Sequence, residues 1–185
     1  TEDMSTVAEQ GANTIDYRFD NPAVLTPPKD APPRYQWQRV VEYSSFRDWQ
    51  GISRLFAPLF ANASTFRANS SLKQEVARIA AAHAKPLDRA AAALKMVQQD
   101  VRYIYVGLNG GNLTPAGADE TWQRRYGDCK AKTALLLALL RELGVDAEAV
   151  LVNNGGADDG LDERLPSPRM FDHVLVRALI DGKSY

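Results

Sequence analysis

The sequence has little cysteine, little histidine and almost no net charge. A single cysteine in 185 residues excludes an internal disulfide and a zinc site built from several cysteines. The 22 basic and 23 acidic residues give a net charge of −1, so nothing indicates binding to nucleic acid or to an anionic membrane surface. The longest apolar run, Ala134 to Leu140, is too short for a membrane span. We therefore expect no cofactor, no metal and no membrane span in this chain.

The chain begins with Thr1, and its first ten residues are mostly polar, so we expect no secretory signal within these residues. We expect a mature protein or an excised domain. Residues 1–43 are predicted to be the tail end of a preceding β-rich domain, or an arm. Within this part, alternation predicts strands at Asn13 to Phe19 and Tyr35 to Tyr43.

Residues 44–185 are predicted to form one globular α+β core. Apolar periodicity predicts three helices: Asp48 to Phe60, Ser71 to Lys85 and Pro86 to Val101. They are followed by a short strand at Val101 to Val106, a glycine-rich loop at Gly107 to Gly117, and one or two helical turns at Ala118 to Arg125. A buried helix is predicted at Asp128 to Leu143, followed by a strand at Asp146 to Val152 and a long surface loop at Asn153 to Pro168. The next strand is predicted at Asp172 to Ile180, with a hairpin turn at Asp181-Gly182 and a return strand from Lys183.

The cysteine lies where the buried helix begins. Gly127 is expected to supply a turn and Asp128 to cap the helix, which places Cys129 in its first turn. Unpaired N–H groups and the positive end of the helix dipole favour a thiolate there, so we expect a lowered pKa and an activated nucleophile.

A thiol nucleophile needs a base, and the chain has two histidines. His173 heads a β-prone run after the cysteine helix, whereas His83 lies among alanines and is expected at a helix surface or end. Cys129 and His173 are therefore the candidate catalytic pair. Together they offer only two strong metal ligands, which argues against a metal site.

Several segments resemble the transglutaminase-like superfamily, a papain-like cysteine fold. The resemblance rests on four of them: Tyr126 to Lys130, the apolar helix after it, Leu143 to Val152, and Phe171 to Val174. Ser44 to Trp49 is similar to a domain junction in a bacterial branch of that superfamily, in which a β-rich domain of unknown function comes first. The resemblance implies N-terminal helices, with the cysteine helix packed on an antiparallel sheet. It also suggests a periplasmic or other extracytoplasmic location.

The resemblance further implies a Cys-His-Asp triad whose aspartate lies about fifteen residues after the histidine. That position falls beyond Tyr185, so we expect a core truncated at its C-terminus and a chain of low activity. Asp181 lies in the turn, at the wrong end of the strand pair, and Asp172 is the other nearby acid. Ala131 also departs from the branch, where an acidic residue is usual.

Other residues near the pair have two interpretations each. Trp122 and Tyr126 could line an acyl-binding groove or pack the short helix, and Lys130 could hold the thiolate or be solvated. Asp128 is favoured as a plain cap, and it is expected, together with Asp172, to line the site. A second oxyanion donor, beside the Cys129 N–H, could be one of four side chains: Asn109, Asn112, Gln123 or Trp122. Tyr103 is expected in the core.

Two functions remain open from the sequence. The first is thiol-dependent acyl transfer or hydrolysis on peptide or carboxamide bonds of a protein or peptide, with water at least as plausible as an amine acceptor. The alternative is a non-enzymatic peptide-binding or scaffold module with a vestigial site. The sequence leaves the oligomeric state open.

Overall fold

The computed structural model describes residues 5–8, 15–18, 23–32, 42–105, 113–155 and 160–185. The chain forms two compact units, Thr1–Val41 and Glu42–Tyr185. In the first, strands β1 (Ser5–Ala8) and β2 (Ile15–Arg18) pair antiparallel. The strand at β2 was predicted, whereas β1 was not, because its pairing partner rather than its short sequence defines it. Most of the strand predicted at Tyr35 to Tyr43 lies outside the described residues.

The second unit begins with a series of helices in the predicted order. They are α1 (Trp49–Ala63), α2 (Leu72–Ala82), α3 (Pro86–Asp100), α4 (Ala118–Arg124) and α5 (Cys129–Glu142). Local chemistry sets their starts: the Asp48 carboxylate accepts from the Gly51 N–H at 2.7 Å, and Pro86 opens α3. Among the described residues, no helix is long and apolar enough to cross a membrane.

Helix α5 is the centre of the second unit. Eleven of its 14 residues are buried, as its nearly continuous apolar sequence predicts. Five of them join an apolar cluster with α2, α3 and α4, while Cys129 and Leu137 join a second cluster formed with α1. Each leucine buried in this way contributes about 2 kcal/mol through area removed from water, so α5 holds the unit together.

A three-stranded antiparallel sheet packs against α5. Its order is β5 (Asp146–Val152), β6 (His173–Ile180) and β7 (Lys183–Ser184). Asp181 and Gly182 both adopt positive φ, 50° and 76°, as a two-residue hairpin turn of type I′ requires. With helices packed on an antiparallel sheet, the fold class is α+β, as predicted.

Two short strands lie beside the start of α5. Strand β3 (Arg102–Tyr103) runs parallel to β4 (Tyr126–Gly127), and the Ile104 N–H donates to the Gly127 carbonyl at 3.0 Å. The sequence predicts a longer strand here, but residues 106–112 lie outside the described part of the chain. The pairing places Tyr103 next to the residues that lead into Cys129.

The first residues of the second unit are tied to a segment far along the chain. The Glu42 carboxylate forms an ion pair with Arg164 and accepts from the Leu165 N–H at 3.1 Å. The Ser44 hydroxyl donates to the Pro166 carbonyl. These bonds fix the segment before α1 against the loop that precedes β6.

Candidate active site

Cys129 is the first residue of α5, as predicted. Asp128 is the N-cap, and its Oδ1 accepts from the Ala131 N–H at 2.9 Å. The bond satisfies one of the four N–H groups that a helix start leaves without a partner. The sequence therefore located both the cap and the candidate nucleophile correctly.

Gly127 has a different role from the one predicted. It lies in β4 and does not adopt a positive φ, so it supplies no turn. A Cβ at this position would lie 2.8 Å from the Ala131 Cβ and 3.2 Å from Thr121 Cγ2. The absence of a side chain is what lets β4 pack closely against the start of α5.

The sulfur of Cys129 is nearly enclosed. The residue is 5% exposed and belongs to the apolar cluster of α1, so its exposure to a cleft is smaller than expected. Burial raises the pKa of the Cys129 thiol, while the Lys130 charge opposes that shift. Backbone N–H groups of Val174 and Lys130 also act to lower this pKa, and the Asp128 charge acts to raise it. The predicted lowering of the pKa is wrong, because desolvation exceeds the stabilisation offered by the helix start.

Lys130 is not a solvated residue. Its ammonium lies 2.5 Å from Asp128 Oδ2, and the two side chains are 1% and 8% exposed. Asp128 therefore caps α5 with one oxygen and pairs with Lys130 through the other. The next residue after the candidate nucleophile is thus a buried cation.

His173 is the first residue of β6 and pairs in register with Val152. The Val152 carbonyl also accepts from the Asp172 N–H at 3.1 Å, so the residue before β6 is tied to the end of β5. These backbone bonds fix the position at which His173 enters the sheet.

A cavity of about 540 Å³ brings the candidate pair together, since Cys129 and His173 both line it. Its remaining walls are mostly apolar and come from α3, α5 and β6, including Leu87, Ala91, Leu94, Leu136, Val176 and Ile180. The sulfur reaches the backbone N–H of Val174, the residue directly after the histidine. Within the described residues no hydrogen bond joins the thiol and the imidazole, a looseness common in sites without substrate.

No carboxylate contacts His173 among the described residues. Asp172 Oδ1 instead accepts from the Asn154 N–H at 2.8 Å, and Asp181 lies in the β6–β7 turn with φ of 50°. The described residues also contain no group of three or more side chains that could hold a metal ion.

Other predicted site residues lie away from the cavity wall. Trp122 is buried in the core cluster of α5, with the Arg125 guanidinium 3.4 Å above its ring. Tyr126 is 44% exposed, and Gln123 is exposed on α4. None of these residues lines the cavity, and neither do Asp128 and Asp172. Their predicted role in contacting a bound substrate stays a prediction. Asn109 and Asn112 lie outside the described residues.

Tyr103 is a site residue that the sequence did not indicate. It was expected in the core, yet its side chain is 45% exposed and lines the cavity with Cys129 and His173. Burial raises the pKa of the Tyr103 hydroxyl, and the charges of Cys129 and Asp128 act in the same direction. A side-chain hydrogen bond with Cys129 also contributes. Only the pairing of β3 with β4 reveals this proximity, because 26 residues separate the tyrosine from the cysteine in the chain.

Comparison with known proteins identifies the family. Residues 73–185 match the transglutaminase-like superfamily, and the chain belongs to it. Among solved structures, it is similar to a presumed protease from Parabacteroides distasonis, with 14% sequence identity and a TM-score of 0.61. The match covers 98% of this chain and 35% of that one, so the chain spans about a third of its length, and the likeness concerns the fold alone. No curated protein matches the chain.

Proposed function

We propose that this protein is a thiol-dependent enzyme that cleaves or transfers acyl groups at peptide or carboxamide bonds. Cys129 is the nucleophile and His173 the general base. The observation that carries the proposal is that both residues line one cavity, in a chain of the transglutaminase-like superfamily. Each is held at the end of a regular element, α5 or β6, so backbone geometry fixes the position of both.

The enclosed sulfur determines how the reaction begins. Since burial raises its pKa, the resting residue is a thiol at neutral pH rather than a preformed thiolate. His173 therefore takes the proton as the sulfur attacks the carbonyl carbon, and later gives it to the departing amine. Water or another amine then receives the acyl group from the thioester.

The cavity supports a protein or peptide as the substrate. Leucine, valine, alanine and isoleucine side chains from three elements make up most of its wall. Apolar walls with a few polar groups at one end suit the side chains of a peptide, while the polar pair acts on its backbone. We infer that residues with apolar side chains are preferred next to the cleaved bond.

A substitution experiment tests the proposal. Hydrolysis of a fluorogenic peptide panel, and transfer of a fluorescent amine to casein, would be measured for the wild type and for Cys129→Ala and His173→Ala. Both variants should lose nearly all turnover while remaining folded. His83→Ala, which changes the only other histidine of the sequence, is the matched control and should keep wild-type activity. Substantial turnover in Cys129→Ala would place the chemistry elsewhere.

One observation favours a second candidate, a non-enzymatic peptide-binding module. A thiol whose pKa is raised by burial is less reactive than a free thiol at neutral pH. Iodoacetamide labelling separates the two, because Cys129 is the only cysteine and any label reports on it alone. If His173 is the base, His173→Ala should slow labelling near pH 7 while His83→Ala leaves it unchanged. Equal labelling of all three proteins would favour the module.

A further inference from the structure

Backbone pairing holds Tyr103 beside the start of α5. In β3 it lies opposite Gly127 of β4, and the Arg102 N–H donates to the Arg125 carbonyl at 2.7 Å. Together with the Ile104 bond described above, these contacts fix the backbone on both sides of Tyr103. Because β4 continues through Asp128 into Cys129, the tyrosine ring is held at a set distance from the sulfur.

The side chain is placed as a hydrogen-bond donor to the reacting atoms. Its ring is partly exposed on the wall of the cavity that Cys129 and His173 also line, and a side-chain hydrogen bond with Cys129 contributes to the raised pKa of its hydroxyl. The groups that raise the pKa of this hydroxyl ensure that it keeps its proton at neutral pH. The phenol is therefore available to donate, and it cannot compete with His173 as a base.

We propose that the Tyr103 hydroxyl is the second donor of the oxyanion site, beside the backbone N–H of Cys129. The inference depends on the proposed function. Within the described residues the Cys129 N–H has no acceptor, as is usual for the first residue of a helix. The two donors thus come from different elements, β3 and α5, and both lie next to the sulfur.

The chemistry of the attack shows why a donor at the sulfur can serve the oxyanion. The sulfur forms a bond to the carbonyl carbon, the thiol proton passes to the His173 imidazole, and the carbonyl π electrons move onto oxygen. The resulting oxyanion is bonded to the same carbon as the sulfur, so a hydroxyl beside the sulfur is also close to the oxyanion. When the carbon–nitrogen bond breaks, the C=O bond re-forms and the imidazolium proton goes to the departing amine.

Two of the four side chains considered from the sequence are less suited to this role. Trp122 is enclosed in the core, and Gln123 is exposed on α4 away from the cavity. Asn109 and Asn112 lie outside the described residues. Tyr103 is the side chain that lines the cavity together with Cys129 and His173.

Two reactions of the same sulfur test the inference in the full chain. Acylation by p-nitrophenyl acetate passes through an oxyanion and is measured by nitrophenolate release in a single turnover. Alkylation by iodoacetamide forms no oxyanion and measures the thiol alone. Tyr103→Phe should slow acylation by about 10²- to 10³-fold, the usual loss for one oxyanion donor. The alkylation rate should change by less than about threefold, which corresponds to a change of about one RT in the activation free energy.

Tyr105→Phe is the matched control, because Tyr105 is two residues away and 70% exposed. It should leave both rates unchanged. An acylation rate in Tyr103→Phe close to that of the wild type would overturn the inference, and so would an equal fall in both rates, which would mean that the tyrosine acts on the thiol itself. If wild-type Cys129 is alkylated but acylated no faster than a free thiol, the proposed function fails together with the inference. A thermal melt of each variant confirms folding.

Discussion

The buried ion pair between Lys130 and Asp128 gives the sharpest prediction for stability. Lys130→Met keeps the length and volume of the side chain but removes its charge. Asp128 is then left as a carboxylate that is 8% exposed and has lost the ammonium at 2.5 Å. Removing one partner of a buried pair costs about 3–5 kcal/mol, because the remaining charge is desolvated without compensation.

A loss of that size is large compared with the stability of a whole domain, which is about 5–15 kcal/mol. Urea unfolding followed by circular dichroism measures it directly. With an m-value of about 2 kcal/mol per molar urea, a loss of 4 kcal/mol should lower the midpoint by about 2 M. The m-value itself should not change, since the unfolded state exposes the same surface.

A double variant and an exposed pair serve as controls. Asn is as good an N-cap as Asp, so Asp128→Asn together with Lys130→Met removes both charges and keeps the bond to the helix start. The double variant should recover most of the loss seen in Lys130→Met. Arg177→Met breaks an exposed pair with Glu148, with side chains 58% and 59% exposed, and should cost no more than about 1 kcal/mol. A Lys130→Met cost as small as that of Arg177→Met would show that the burial of this pair has been misjudged.

Two further predictions concern the start of α5. Gly127→Ala should destabilise the unit by about 1–3 kcal/mol through overpacking against Ala131, and adding Ala131→Gly should partly restore the stability measured by urea unfolding. Gly117→Ala is the control, because a Cβ at Gly117 meets nothing within 4 Å. Equal effects of the two glycine substitutions would contradict the steric argument. Because the folded state holds the Cys129 thiol with a raised pKa, its contribution to stability is complete below the usual thiol pKa of about 8.5 and is lost as pH rises through the folded pKa. Free energies of unfolding from pH 7 to pH 10 should therefore fall more steeply for the wild type than for Cys129→Ala, and parallel curves would count against the raised pKa.

Much of the fold was accessible from the sequence because its patterns are strong. Strand β5 was predicted with its observed bounds, Asp146 to Val152, and α5 to within one residue at each end. A long apolar helix with an aspartate cap leaves few alternative structures. The order of elements also led to Cys129 and His173 as the candidate pair, and both residues line one cavity.

The parts that the sequence did not predict depend on contacts between distant residues. The pKa of the Cys129 thiol is raised by the apolar cluster around it, which a local helix-start argument omits. Tyr103 reaches the sulfur only through the β3–β4 pairing, and Gly127 is required by the closeness of Ala131. In each case the deciding interaction is tertiary, whereas sequence patterns report mainly on local structure.

The bonds that tie Glu42 and Ser44 to the loop before β6 have a consequence for protein synthesis. Their partners, Arg164 and Pro166, follow 122 residues later in each case. At a synthesis rate of about 5–20 residues per second, the partners emerge from the ribosome roughly 6 to 24 seconds after the segment they hold. Helix α1 can therefore form early, but the segment before it stays untied until the loop that precedes the histidine strand has emerged. The first residues of this unit are thus expected to join the loop beside the candidate base only late in synthesis, shortly before β6 and β7 complete the sheet.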